Sequence, residues 1–397
     1  MKIGTETENT KKILIPGLLF LLSMDLMNMS NYLLLIFVII CIFSSRGEAT
    51  LFLNIELSFL ILSFMCYFYI YQFYNTISPH TFVVFLFGPI AMYICGQIVI
   101  SRINSVYFTT LVYTIAAGLF AHGMLNILYF SQNKIDRQTL NGRQILDVWG
   151  GFASATLQNT YFVMVIALLF FALFISNKFL ERTIIISGCA FSVYASIITA
   201  SRTILYLIVV VPLICLVLNY YLTKTAKNKF VKIVAALLLI TVFFVVAFSI
   251  NFLGIQDWYK STSLAKRIAT GSTNTVIKDL RWEYSIMVLS GILDYPLGNN
   301  PIQHYAHNMW LDVARLTGIM PFFFLVIYSA LTIKTMILFV TCENIDTKVK
   351  YIIFSIYTAC FILFFIEPIL EGIPHFFALF CFINGMTYKY LRISEKS

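Results

Sequence analysis

The chain has 397 residues, of which 60% are hydrophobic and only 11% are charged. Soluble proteins average about 45–50% apolar and about 25% charged residues, so this composition excludes a soluble globular protein. The net charge of +9 does not indicate a nucleic-acid-binding protein, because the basic residues lie at helix ends and not in an aromatic-interleaved patch.

Apolar runs of about 18 residues or more recur along the chain, and each is long enough to cross roughly 30 Å of hydrocarbon. The sequence therefore predicts an all-α, polytopic membrane protein with about 12 transmembrane helices. We expect one membrane domain over residues 1–397, with two large loops at 131–158 and 253–317. The expected spans lie near residues 12–27, 30–43, 51–73, 82–100, 106–130, 159–176, 183–200, 203–222, 231–252, 318–341, 351–371 and 373–391.

Lysine and arginine collect in the cytoplasmic loops of membrane proteins, and this bias orients the spans. With both termini in the cytoplasm, the short outside turns contain almost no basic residue except Arg202. The opposite orientation breaks the pattern at nearly every loop, so we expect the loops 131–158 and 253–317 on the outer, periplasmic face of a bacterial inner membrane. The inside basic residues are then Lys2, Lys11, Lys12, Arg46, Arg102, Lys178, Arg182, Lys224, Lys227, Lys229, Lys334, Lys348, Lys350, Lys389, Arg392 and Lys396.

Arg202 lies in the segment Ser201-Arg202-Thr203, at the outer end of the helix expected at 203–222. An arginine at a helix end often extends to the lipid headgroups, and that role accounts for it equally well. Because Arg202 departs from the inside-positive bias of the other turns, it is also a candidate site residue.

Arg281 lies in the stretch from Thr275 to Leu293, where apolar residues recur every three or four positions. This periodicity predicts an amphipathic helix with Arg281 and Ser285 on its polar face and Met287 and Val288 on its apolar face. Such a helix could lie on the membrane surface with a solvated or lipid-phosphate-binding basic face. Alternatively, the Arg281 guanidinium binds a diphosphate, since arginine pairs with phosphate oxygens bidentately.

His307 precedes a short helix predicted from Asn308 to Thr317, with Asn308 as its N-cap and Gly318 as its C-terminal stop. The helical spacing places Arg315 on the same side as His307, whereas Asp312 is expected to point elsewhere. A loop histidine is usually inert. At the outer face an imidazole is largely neutral near pH 7, however, and it can act as a general base.

His304 and His307 are three residues apart, a spacing also seen in zinc sites. No further His or Cys is near them in sequence, no H-E-x-x-H motif occurs, and no outer carboxylate cluster is suited to Mg²⁺. The eight cysteines lie in or beside apolar spans and form no C-x-x-C pair. We expect no metal and no other cofactor.

Glu367 and Glu371 stand four residues apart near the outer end of the span expected at 351–371, and a continuous helix places them on one face. Intramembrane carboxylates are costly, and they are usually functional or paired. Orienting a base, binding sugar hydroxyls and pairing with an arginine are all open, as is a purely structural ion pair. Asp25 and Glu56 are weaker cases of the same kind.

Three pieces occur in order: Ser201-Arg202-Thr203 opening a helix, Arg281 on an amphipathic outer helix, and His307-Asn308 leading to Gly318 and a new span. Over roughly residues 190–345 they resemble the O-antigen polymerase and O-antigen ligase superfamily of bacterial surface-polysaccharide assembly.

The resemblance implies a metal-independent, lipid-dependent (GT-C-type) glycosyltransferase among the membrane lipids, with a glycan on undecaprenyl diphosphate as donor. His307 would be the base, and Arg202 and Arg281 would bind the diphosphate. Two arginines can stabilise the charge that develops on this leaving group, and a single displacement predicts inversion at the anomeric carbon. The supporting candidates are Asn308, His304, Arg315, Glu367 and Glu371.

Within this superfamily a polymerase joins two lipid-linked repeat units, whereas a ligase transfers the glycan to lipid A core. We favour the polymerase, because a Phe- and Tyr-rich composition and twelve spans are typical of polymerases; a chain-length regulator is then a candidate partner. The competing class is a flippase for lipid-linked oligosaccharides. Such transporters bind substrate near the membrane midplane and often have repeated halves, whereas the candidates here cluster outside.

Overall fold

A computed structural model of the chain describes residues 3–45, 53–75, 78, 82–100, 104–132, 144–223, 246, 249–262, 264–265, 280–301 and 305–396. Within this part of the chain the protein is mostly helical, and one two-stranded hairpin forms its sheet. The predicted all-α class is confirmed.

The helices before the hairpin are α1 (Ile3–Ser23), α2 (Ser30–Ser45), α3 (Ile55–Tyr74), α4 (Gly88–Val99) and α5 (Ser105–Gln132). The hairpin pairs β1 (Gln144–Leu146) with β2 (Phe152–Ser154) in antiparallel register. The helices that follow it are α6 (Ala155–Thr160), α7 (Val163–Ala167), α8 (Leu169–Phe174), α9 (Phe179–Thr199), α10 (Thr203–Thr223), α11 (Ile255–Ser261), α12 (Leu280–Ser290), α13 (Met309–Thr317), α14 (Ile319–Thr341), α15 (Thr347–Ile366), α16 (Ile369–Gly372) and α17 (Pro374–Ser394).

Six of the described helices are long and apolar enough to cross a membrane, so the chain has the character of a multi-pass membrane protein. They are α3, α5, α9, α10 over Thr203–Tyr220, α14 and α15. Shorter apolar helices cover Ile13–Ser23, Ser30–Phe43, Gly88–Val99 and Val163–Phe174. The span expected at 231–252 lies almost entirely outside the described residues.

The span expected at 159–176 is not one continuous helix. The chain there forms the three short helices α6, α7 and α8, with turns at Tyr161–Phe162 and at Leu168. At the second turn the Leu168 amide bonds to Val165, a tighter i→i−3 step than the α-helical one. The apolar composition of residues 159–176 therefore gives no sign of the two breaks in the helix.

The chain divides into two compact units, residues 1–125 with 279–397, and residues 126–278. In the first unit α17 packs along α4, and α3 packs along α14. The short helix α13 packs against α14, α3 and α15, so three longer helices fix its position. In the second unit α9 and α10 pack against each other and against α7 and α8.

Two buried carboxylates of the first unit bond to neighbouring groups of the protein. Glu56 on α3 accepts hydrogen bonds from the hydroxyls of Thr332 (3.0 Å) and Thr335 (2.9 Å) on α14. Asp25 accepts from the backbone N–H of Ser30 at 2.8 Å, at the start of α2. Glu56 therefore ties two long helices together, and Asp25 holds the turn between α1 and α2.

Candidate functional site

The loop that carries His307 leads into α13 with the cap that the sequence predicts. The side chain of Asn308 accepts hydrogen bonds from the N–H groups of Trp310 and Leu311, both at 3.1 Å, and the helix ends at Gly318. The predicted N-cap and stop are confirmed. The Trp310 indole donates to the Ser329 hydroxyl on α14 at 2.9 Å, which anchors the first turn of α13 to a helix long and apolar enough to cross a membrane.

His307 has a left-handed backbone, with φ at +53°. For a residue other than glycine this conformation costs about 1–2 kcal/mol, so the surroundings must hold it. The Asp312 carboxylate does so by accepting from the N–H groups on both sides, that of Ala306 at 2.7 Å and that of Asn308 at 3.3 Å. Strained backbone of this kind clusters at functional sites.

The expectation that Asp312 points away from His307 is wrong. Helical side chains lean towards the helix N-terminus, and Asp312 follows that rule back to the loop. An acidic side chain in the first turn also meets N–H groups that have no partner inside the helix. The sequence signal for this role of Asp312 was its position in the first turn, four residues after the N-cap Asn308.

The imidazole of His307 faces a buried carboxylate. Its Nδ1 lies 3.7 Å from Oε2 of Glu367, which is 1% exposed. The Asn308 side chain donates to the carbonyl of Phe365 at 3.4 Å, so the loop is also tied to the end of α15. The structure thus brings His307, Asn308 and Glu367 together.

Glu367 and Glu371 do not lie on one continuous helix, contrary to the sequence-based expectation. Helix α15 ends at Ile366, and Glu367 is extended, with φ −140° and ψ 147°. A proline disfavours helical conformation in the residue before it, and Pro368 follows here. The break lets the two carboxylates reach different partners.

Glu371 pairs with Arg315, whose Nη2 donates to both carboxylate oxygens at 2.6 and 2.8 Å. The Arg315 Nε lies 3.5 Å from Oδ1 of Asp312, and its guanidinium stands over the Tyr305 ring, 5.8 Å from the centroid. Arg315 therefore links the carboxylate that holds the loop to a second carboxylate beyond α15. We call Asp312, Arg315 and Glu371 the charged triplet.

Burial decides the titration of the charged triplet. It raises the pKa of Asp312 to about 6, the negative charge of Glu371 adds to this, and the bonds from Ala306 and Asn308 together with the charge of Arg315 oppose it. Burial also raises the pKa of Glu371, against the opposing effect of Arg315. The Asp312 carboxyl group therefore changes its charge near pH 6.

Helix α12 packs on α13 through the side that carries Ser285 and Val288. The Ser285 hydroxyl donates to the carbonyl of Ala306 at 2.9 Å, directly before His307, and Val288 is buried against Ala306 and Ala314. Arg281 lies one helical turn before Ser285 in this register.

The expected polar and apolar faces of this helix are only partly correct. Val288 is buried as expected, but Met287 is exposed, and Ser285 faces the protein. The small side chains of Ala306 and Ala314 let α12 approach α13 and its preceding loop closely. The backbone carbonyl of Ala306 then lies at the contact, and the Ser285 hydroxyl supplies the hydrogen bond that a buried carbonyl requires. Residues 275–279 of the expected helix and His304 lie outside the described residues.

The turn-rich segment before the loop closes the other end of α13. The N–H groups of Asn299 and Asn300 donate to the carbonyls of Leu316 (3.2 Å) and Arg315 (3.1 Å). Gly318, with φ +84°, lies so close to the Pro296 carbonyl that a Cβ atom there would collide with it. Backbone contacts thus fix the C-terminal end of α13, whereas side chains fix its N-terminal end.

Arg202 belongs to the second unit, and its side chain is exposed. It follows a helix end in which Ala200 has φ +53° and the Ser201 N–H bonds to the Ser196 carbonyl at 3.0 Å. This is the left-handed C-terminal cap normally made by glycine. The backbone carbonyl of Arg202 accepts a hydrogen bond from the N–H group of Tyr206, in the first turn of α10.

Neutral side chains hold this turn. Asn159 donates to the Thr199 hydroxyl at 2.9 Å and accepts from the Ser196 hydroxyl at 2.8 Å. Nearby, Asn126 donates to Asp147 and to Gln158, both at 3.1 Å. Sequence reasoning missed this network, because its members come from α5, the hairpin, α6 and α9.

The structure therefore brings together His307, Asn308, Arg315, Glu367 and Glu371, with Arg281 on the adjoining helix. The joint use of Arg202 with them stays a prediction. In the part of the chain that the structure describes, no group of three His, Cys, Asp or Glu side chains is arranged to hold a metal ion. No family model and no curated protein matches the chain.

Proposed function

We propose that this protein is a membrane glycosyltransferase in which His307 is the general base. The observation that carries the proposal is a histidine in strained backbone, clamped by Asp312 on both sides and facing the buried Glu367 carboxylate. Such an arrangement suits a proton acceptor that must keep one orientation.

The carboxylate beside Nδ1 explains how the imidazole could work. As a sugar hydroxyl attacks the anomeric carbon of the donor, Nε2 takes its proton and the ring becomes positively charged. Glu367 then stabilises the imidazolium and keeps Nδ1 on its own side, the role that a buried carboxylate has in other histidine-dependent enzymes. The step transfers the glycan, releases the diphosphate leaving group and inverts the anomeric carbon.

The donor that fits best is a glycan on undecaprenyl diphosphate, embedded among membrane lipids. Its leaving group develops negative charge, and arginine is suited to diphosphate oxygens. Arg281 is supported by its position one turn before Ser285, which bonds beside His307. We assign Arg202 the same task, in a GT-C-type fold of about twelve spans with the His307 loop at the periplasmic face of an inner membrane.

The decisive experiment is transfer by the purified protein on lipid-linked substrate. We expect His307→Gln to lower the rate roughly 100-fold or more, and Glu367→Gln to lower it less, since a positioned base contributes about 10²–10⁴. Glu395→Gln, an exposed carboxylate that pairs with Arg392, is the matched control and should retain full activity. Wild-type transfer by His307→Gln would refute the mechanism.

Among the acceptors we favour a second lipid-linked repeat unit, which makes the protein a surface-polysaccharide polymerase that works alone or with a chain-length regulator. The alternative acceptor is lipid A core, as in a ligase. A deletion strain separates them. Surface lipopolysaccharide capped by single repeats indicates the polymerase, and polymer stranded on undecaprenyl diphosphate indicates the ligase.

A further inference from the structure

One side of α12 is apolar and exposed. Trp282, Ile286 and Leu289 follow each other at helical spacing and fall within about 60° of one another at 100° per residue. They are 70%, 48% and 56% exposed, and Leu293 in the following turn is also exposed. We call these four residues the apolar stripe.

Rotation of α12 cannot bury the apolar stripe, because the other side of the helix is already engaged. The bond from Ser285 to the Ala306 carbonyl and the burial of Val288 fix the rotation of α12 about its axis. The stripe therefore needs a covering from outside this unit or from the surrounding medium.

The apolar stripe adjoins a helix that can cross the membrane. After α12 the chain turns, and the Pro296 carbonyl accepts from the Ile319 N–H at 3.0 Å, in the first turn of α14. At that end α14 exposes Met320 and Phe323, as a helix in contact with lipid does. Exposed apolar side chains thus occur on both sides of this bond, Met320 and Phe323 in α14 and Leu293 and Leu297 in the segment that follows α12.

We propose that α12 lies in the membrane interface, with the apolar stripe against lipid acyl chains. Tryptophan at the level of the headgroups and aliphatic residues below it are typical of such helices. The polar residues Glu283 and Ser290 border the stripe on one side, which suits contact with headgroups and water. If the proposed function holds, this placement keeps Arg281 at the depth where the diphosphate of a lipid-linked donor lies.

The test is quenching of Trp282 fluorescence by lipid. The full chain is placed in phosphatidylcholine vesicles whose acyl chains carry bromine near the headgroup, and in unbrominated vesicles. Because the chain has other tryptophans, the Trp282 signal is the difference between wild type and Trp282→Phe. We expect bromination to reduce that signal roughly twofold or more, as for an interfacial tryptophan.

A pair of charge variants sharpens the result. Leu289→Asp places a carboxylate in the stripe and should largely abolish the quenching, whereas Ser290→Asp, one residue further along the helix, should leave it unchanged. Quenching needs no turnover, so failure of the glycosyltransferase proposal would not affect this measurement.

Three outcomes overturn the proposal. An unquenched Trp282 that emits as a water-exposed indole assigns the stripe to solvent. An unquenched, blue-shifted Trp282 in a protein that cross-links as a dimer assigns it to a second copy. Quenching that Leu289→Asp and Ser290→Asp reduce equally shows that the stripe has no specific role.

Discussion

The turn at His307 and the turn at Arg202 both contain a residue with left-handed backbone, but different kinds of side chain hold them. Each contains a non-glycine residue with φ +53°, His307 itself and Ala200. Ionisable groups, above all Asp312, hold the first turn, and the neutral side chains around Asn159 hold the second. The comparison teaches that one backbone conformation can be held in two ways: the His307 turn depends on groups that titrate, whereas the Arg202 turn depends on neutral hydrogen bonds that do not.

The largest expected effect comes from removing the central cation of the charged triplet. Arg315→Ala leaves the buried Asp312 and the half-buried Glu371 without their partner, and breaking a buried pair costs up to about 3–5 kcal/mol. We expect a large fall in the thermal midpoint of the purified protein. The exposed pair Arg392–Glu395 offers the control, since Arg392→Ala should cost less than about 1 kcal/mol. Equal midpoints for the two variants would contradict the assigned role.

The second effect concerns the turn before Arg202, which neutral side chains hold. Asn159→Ala removes the bonds to Thr199 and Ser196 and should destabilise the protein by about 1–3 kcal/mol, with no new pH dependence. If rigidity serves Arg202, the variant should also raise the KM for lipid-linked donor, and Arg202→Ala should raise it in the same way. Asn75→Ala, at an exposed helix end, is the control. A loss of stability with an unchanged KM would limit Asn159 to a structural role.

The third prediction uses pH to separate the two turns. The pKa of Asp312 is raised to about 6 in the folded protein, so the native state binds a proton that the unfolded state releases between about pH 4 and pH 6. Stability from this group is therefore present at low pH and lost as pH rises through 6.

In practice the thermal midpoint of wild type, relative to Asp312→Asn, should increase as pH falls from 7 to 5. Asn159→Ala should follow the wild-type pH profile. Parallel profiles for wild type and Asp312→Asn would show that the carboxylate does not titrate in this range.

The smallest effect tests the left-handed backbone conformation that Ala200 shares with His307. Ala200→Gly relieves a left-handed alanine, and after the entropy cost of glycine it should stabilise the protein by a few tenths to about 1 kcal/mol. Ala195→Gly, in the interior of the same helix, should destabilise it by about 1 kcal/mol. A loss of stability in both variants would mean that the conformation at Ala200 carries no strain.

Local signals in the sequence predicted much of the helical structure and of the segment around His307. The N-cap at Asn308, the stop at Gly318 and the apolar runs of the long helices all follow from short-range chemistry. The pairing of Arg315 with Glu371 did not follow, because 56 residues separate them and helix packing brings them together. The break before Pro368 was readable from the proline, but a run of apolar residues masked it.

One consequence of the short helix α13 concerns the order of synthesis. Nine residues are too few for a stable helix in water, so α13 depends on what packs around it. Two of those neighbours, α15 and the segment with Glu367 and Glu371, leave the ribosome after it. The loop with His307 therefore cannot take its final shape until α15 and α16 have been translated. A chain that stalls before that point carries His307 and Asp312 but lacks Glu367, which faces the imidazole, and Glu371, which pairs with Arg315.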